Sequence, residues 1–90
     1  MTHGELTKAS DLLESAATDT GNDDARERLG DLAGQLERLS TADSGADHGR
    51  LARIQSALNE LKRGDGADVA ETIDEADDTI NEFRSDLEGV

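Results

Sequence analysis

Residues 23–39, DDARERLGDLAGQLERL, decide the fold. Ala25, Leu29, Leu32, Leu36 and Leu39 step by four, three, four and three, which places all five on one stripe of an α-helix and defines a heptad seam. Asp23 and Asp24 stand in the first turn and Arg38 in the last, so each end carries the charge that the helix dipole favours. The spacings Asp23–Arg26 and Asp24–Arg28 suit helical ion pairs, each worth about 0.2–0.5 kcal/mol and less in salt.

The same pattern recurs on either side. Over about 5–17, Leu6, Ala9, Leu13 and Ala16 form a stripe widened by Leu12 and Ala17; it is rich in alanine, so a neighbouring helix can approach closely. Thr2 and Glu5 have the spacing of a capping box, and Thr18 to Asn22, containing Gly21, is expected to turn. After a polar loop from Ser40 to Ala46, Asp47 is a candidate cap for a third helix over about 47–63 with the seam Leu51, Ile54, Leu58 and Leu61. Lys62 and Arg63 close that helix and Gly64 ends it. Gly64-Asp65-Gly66 allows only a tight helix–helix turn. A fourth helix over about 67–87 follows, with Val69, Ile73, Ala76, Ile80, Phe83 and Leu87 on its stripe. No segment alternates with period two and Pro is absent, so no strand is expected.

Short connections make consecutive helices antiparallel neighbours. The expected fold is all-α, one up-down bundle of four antiparallel amphipathic helices over residues 1–90. The rival arrangement is a three-helix core with the first helix packed across it or swapped into a partner chain. Leu, Ile, Val and Phe number 17 among 90 residues, so the core is thin and should gain from salt or self-association.

Composition narrows the function classes. The chain carries 22 acidic and nine basic residues, a net charge of −13; 13 of the acids are Asp and only two bases, Lys8 and Lys62, are Lys. Such a surface repels itself in dilute buffer. It is suited to concentrated salt, where the screening length falls to about 3 Å near 1 M, and it points to the cytoplasm of a salt-loving microbe. With no Cys there is no disulfide or thiolate site, and Phe83 is the only aromatic, which removes base-stacking platforms and common interface anchors. The N-terminal Met-Thr-His-Gly-Glu-Leu lacks the apolar region of a signal peptide, and no apolar run reaches membrane-spanning length. The acidity argues against anionic membranes and DNA phosphates, so no membrane and no nucleic-acid partner is expected.

Candidate sites are few. Helix 4 presents Glu71, Asp74, Glu75, Asp78, Glu82 and Asp86 off its seam, with four like-charged i,i+4 pairs that together cost roughly 1–2 kcal/mol without salt. The plain reading is a salt-tuned outer face; a cation site and a mimic of a nucleic-acid backbone are the sharper ones. Helix 3 has the opposite sign, with Arg50, Arg53, Lys62 and Arg63 against Glu60 alone. Folding helices 3 and 4 into a hairpin about Asp65 would bring Arg50 near Asp77, Ile80 or Glu82 and Lys62 near Asp68, so that the basic groups pair within the chain. The functional reading is an anion or partner contact at His48, Arg50 and Arg53. Gly30 and Gly34, four apart on helix 2 and off its seam, are either tolerated drift or a point of close helix–helix approach, from the first helix or a second chain.

Catalytic and metal chemistry find no support. His48 and His3 are the only imidazoles: neither follows a Glu by three, so a carboxylate-bridged di-metal site is absent, and neither has a second His four residues away, so a zincin motif is absent too. The segment beginning at Asp43 has His48 where a calcium loop needs Gly and Ile54 where it needs Glu; that beginning at Asp19 has Gly30 at its twelfth position. No nucleophile–base arrangement can be assembled and no phosphate loop occurs. No catalytic residue, metal or cofactor is expected.

Residues 25–39 together with Asp47-His-Gly-Arg-Leu-Ala-Arg-Ile-Gln55 resemble the small acidic helical proteins of haloarchaea classed as a domain of unknown function. The resemblance spans nearly the whole chain. It implies a halophile and an all-α fold, and it carries no activity and no site residues.

The leading expectation is a non-enzymatic, self-associating interaction module of a high-salt cytoplasm. Its rivals are a protein that binds a small anion or nucleic acid through the basic patch of helix 3, and an acidic decoy acting through helix 4. A homodimer using Gly30 and Gly34 is the expected assembly, against a monomer whose acidic surface repels its copies.

Overall fold

Each stripe becomes the buried face of a helix: α1 (Gly4–Asp19), α2 (Asp23–Ser40), α3 (His48–Arg63) and α4 (Ala70–Glu88), the last entered through a single 3-10 turn, Ala67–Val69. The computed structural model describes residues 4–40 and 48–88, with the backbone alone at 48 and 86–88. Thr2, His3, the loop from Thr41 and the cap proposed at Asp47 lie outside the described residues, as do the side chains of His48 and Leu87. No strand occurs among the described residues.

The helices form an antiparallel up-down bundle about 39 Å long. Its core holds Leu6, Leu13, Leu29, Leu32, Leu36, Leu51, Ile54, Leu58, Ile73 and Ile80, all under 3% exposed. Every seam residue expected from periodicity and described here is buried; Leu12 and Ala17 flank the core half-buried. Among the described residues no buried side-chain nitrogen or oxygen lacks a hydrogen-bond partner.

The first helix is central, neither laid across a three-helix core nor swapped out of it. It packs closely on both α2 and α4, while α3 packs closely on α4 and α2 and α3 stay further apart. Side-chain size explains the asymmetry. Ala9 and Ala16 of α1 are fully buried, and the Ser10 hydroxyl donates to the Ala33 carbonyl of α2 at 2.8 Å, a contact that only small residues permit. The buried face of α3 carries Leu51, Ile54, Leu58 and Leu61, whose bulk holds it off α2.

Two turns meet at one end of the bundle. In the first, Asn22 caps α2, its Oδ1 accepting from the Ala25 amide at 2.9 Å. Arg26 reaches back to the carbonyls of Ala17 (3.1 Å) and Thr20 (2.9 Å), which supplies partners to the α1 C-terminus. In the second, the Gly66 amide donates to the Leu61 carbonyl at 2.8 Å and Gly66 itself is buried. Asp68 joins the two turns: its carboxylate accepts from the Gly21 amide at 2.7 Å and from the Thr20 hydroxyl at 2.8 Å. The Gly21 amide first, and the Thr20 hydroxyl second, hold this carboxyl below its ordinary pKa.

Candidate functional site

The looser α2–α3 contact leaves a seam open along the bundle. On α3, Arg50 and Arg53 each precede a core residue, Leu51 and Ile54, so they lie about 100° round the helix from the buried stripe. On α2, Gln35 and Arg38 hold the same relation to Leu36 and Leu39. Gln35, Arg38, Arg50 and Arg53 thereby line one pocket of about 400 Å³. Among the described residues no carboxylate lines it. The three arginines are exposed and Gln35 is half-buried. The Arg38 Nε donates to the Gly34 carbonyl at 3.3 Å. Further along the seam Arg28 faces Ala52, Ser56, Ala57 and Glu60, and the groove ends at Leu61, Gly64 and Asp65. That half is electrically mixed, since Asp24, Glu27 and Asp31 surround Arg28 on its own helix.

The other flank of α3 is tied to α4. Lys62 Nζ meets Asp74 at 2.8 Å. Gln55 Nε2 donates to Asp77 at 2.9 Å and to Asn81 at 2.8 Å, and Arg84 donates to Gln55 Oε1 at 2.6 Å. The expected Lys62–Asp68 pair is corrected: Lys62 reaches Asp74, and Asp68 is engaged by the turn between α1 and α2. Asp77 receives Gln55, while Arg50 lines the pocket on the α2 side. Among the described residues no group of three or more His, Cys, Asp or Glu is placed to hold a metal ion, and no helix is long and apolar enough to cross a membrane.

Residues 1–86 match the model of a family of unknown function, DUF7553. The chain belongs to this family. The match covers α1, α2, α3 and nearly all of α4, so the DUF7553 unit is the bundle itself. No curated protein and no solved structure matches the chain significantly.

Within this DUF7553 bundle, the candidate residues named from sequence separate. Arg50 and Arg53 come together in one pocket; His48 opens α3 and its side chain lies outside the described residues. Gly30 and Gly34 are not a point of close approach by α1: a methyl on Gly30 would meet nothing within 4 Å, and one on Gly34 would meet only Arg38 Nη2 at 3.9 Å. The close α1–α2 contact runs instead through Ser10 and Ala33. Gln35 is not marked out in the sequence, and Arg38 and Arg28 stand out there only as a helix-end charge and as an ion-pair partner of Asp24. Their signal lay in register: folding α2 onto α3 about the middle of 41–47 sets Arg38 opposite Arg50, Gln35 opposite Arg53 and Arg28 opposite Glu60.

Proposed function

We propose that this protein is a non-enzymatic interaction module that accepts an anionic group of its partner in the basic seam between α2 and α3. One observation carries the reading: on a chain of net charge −13, the guanidinium groups of Arg38, Arg50 and Arg53 and the amide of Gln35, from two helices, line one pocket. Guanidinium forks bind carboxylates and phosphates through paired, short hydrogen bonds. Such contacts act within the screening length of concentrated salt, where a diffuse positive field would not. This fits the use of Arg for seven of the nine basic residues, and the acidic exterior supports a high-salt cytoplasm as the setting. The acids around Arg28, with Glu60 and Asp65, would repel an extended polyphosphate chain, so the seam favours a compact acidic group over nucleic acid.

Titration with a short Glu-rich peptide at constant molar KCl, followed by amide chemical shifts, tests this reading. Shifts confined to the surroundings of Gln35, Arg38, Arg50 and Arg53, weakened at least tenfold in Arg50→Gln/Arg53→Gln, are the expected result. Shifts scattered over the surface, or unaffected by that variant, would refute it.

A further inference from the structure

We infer that the seam docks α3 of a second copy of this chain, about a two-fold axis that passes between Ser56 and Ala57. The inference rests on the reading of the seam as the acceptor of an anionic group, and it names that group as the Glu60 carboxylate. The face of α3 that borders the seam carries Gly49, Arg53, Ser56, Ala57 and Glu60, with Gly64 just past the helix end. At 100° per residue all six lie within about 50° of one direction. Their order is the same from either end except that base and acid exchange places. Laid antiparallel on its own copy, the face therefore sets glycine on glycine, Ser56 on Ala57 and each Arg53 on a Glu60.

Arg53 and Glu60 are both exposed, and neither side chain has an ion pair or hydrogen bond among the described residues. They stand about 10 Å apart along the helix, so two guanidinium–carboxylate pairs would frame the contact. Between them the small side chains of Ser56 and Ala57 let the helix axes approach to about 8 Å. The contact makes no use of Arg38 or Arg50, which have partners within the chain.

The opposite signs of the seam's two halves fit the same axis. Arg28 of α2 stands opposite Glu60 and Gln35 opposite Arg53, and α3 of the second copy would run parallel to α2. Its Arg53 then comes level with Glu60 and Arg28, where Asp24, Glu27 and Asp31 outnumber the like charge. Its Glu60 comes level with Gln35 and Arg53 at the basic end. A face that is its own complement makes an isologous contact, which closes at two copies.

Sedimentation velocity in molar KCl, where the general repulsion between copies is screened, tests the inference on the full chain. Wild type should approach twice the 9.6 kDa of one chain as concentration rises and go no further. Arg53→Glu and Glu60→Arg, which change only exposed side chains, should each associate at least tenfold more weakly with unchanged helicity. Mixed in equal amounts the two variants should form a mixed dimer, because every contact between positions 53 and 60 then joins opposite charges. Wild type that stays monomeric at every concentration, growth past the dimer, a dimer indifferent to both reversals, or a mixture that associates no better than its parts would each overturn the inference. If the Glu-rich peptide still shifts the seam of a monomeric wild type, the acceptor reading stands and only this occupant is wrong; if it does not, both fall.

Discussion

The Thr20 hydroxyl and the Asp68 carboxylate meet at 2.8 Å across 48 residues of sequence. Thr20 is 1% exposed and also accepts from the Asn22 amide at 3.2 Å, so its hydroxyl both donates and accepts within one turn. The pair, with the Gly21 amide on the second carboxylate oxygen, fastens the α1–α2 hairpin to the α3–α4 hairpin. Since α2 and α3 do not pack closely, this clasp and the α1–α4 contact are what hold the two hairpins in register.

Acid should loosen the clasp. The Asp68 pKa is lowered in the fold from the ordinary 3.8, so its contribution is fully present above that value and is lost as pH falls through the lower folded value. Asp68→Asn leaves one acceptor oxygen for two donors, the Gly21 amide and the Thr20 hydroxyl, and should melt below wild type at neutral pH. The gap between the two melting temperatures should close as pH drops beneath 3.8. A gap that stays constant down the acid limb would show that Asp68 is not the titrating group.

Glycine substitutions should differ in sign. A methyl on Gly66 would sit 3.1 Å from both the Ile73 Cδ1 and the Leu61 carbonyl oxygen, in a turn whose hydrogen bonds use that oxygen. Gly66→Ala should cost roughly 1–3 kcal/mol by overpacking. Gly30→Ala, in a helix interior with open space about it, should gain about 0.5–1 kcal/mol. Urea midpoints of the two variants check both signs.

Removing core volume should unfold a bundle this small. Leu36 is fully buried and Leu58 is 1% exposed, on the two helices that border the seam. Replacing either with Ala should cost about 2–5 kcal/mol. Variants that melt like the parent would show that these side chains do not bear on the core.

Salt should raise both helicity and melting temperature. Glu71–Glu75, Asp74–Asp78 and Asp78–Glu82 are like-charged i,i+4 pairs on α4, each costing about 0.2–0.5 kcal/mol when unscreened. Lys62 relieves only the Asp74 end of this series. Circular dichroism melts from low salt to molar KCl should climb and then level off; a flat profile would remove the support for a high-salt habitat.

Helix number, helix limits to within three residues and the buried stripe of each helix were legible from spacing alone, because they depend on the period of apolar residues along a single element. Leu29, Ile54 and Ile80 were assigned inward on that ground, and they are buried. Periodicity was silent where partners come from different elements. It did not foresee the 3-10 entry to α4, the Ser10–Ala33 contact or the Thr20–Asp68 clasp, and it sent Lys62 to the wrong carboxylate. The basic patch was half visible: Arg50 and Arg53 stood out by sign on α3, whereas Arg38 stood out only as a helix-end charge and Gln35 not at all on α2. Their meeting depends on how closely two helices approach and in what register. Side-chain bulk at distant buried positions sets both, with Ala9, Ser10 and Ala16 drawing α1 inward and the leucines of α3 holding the seam open.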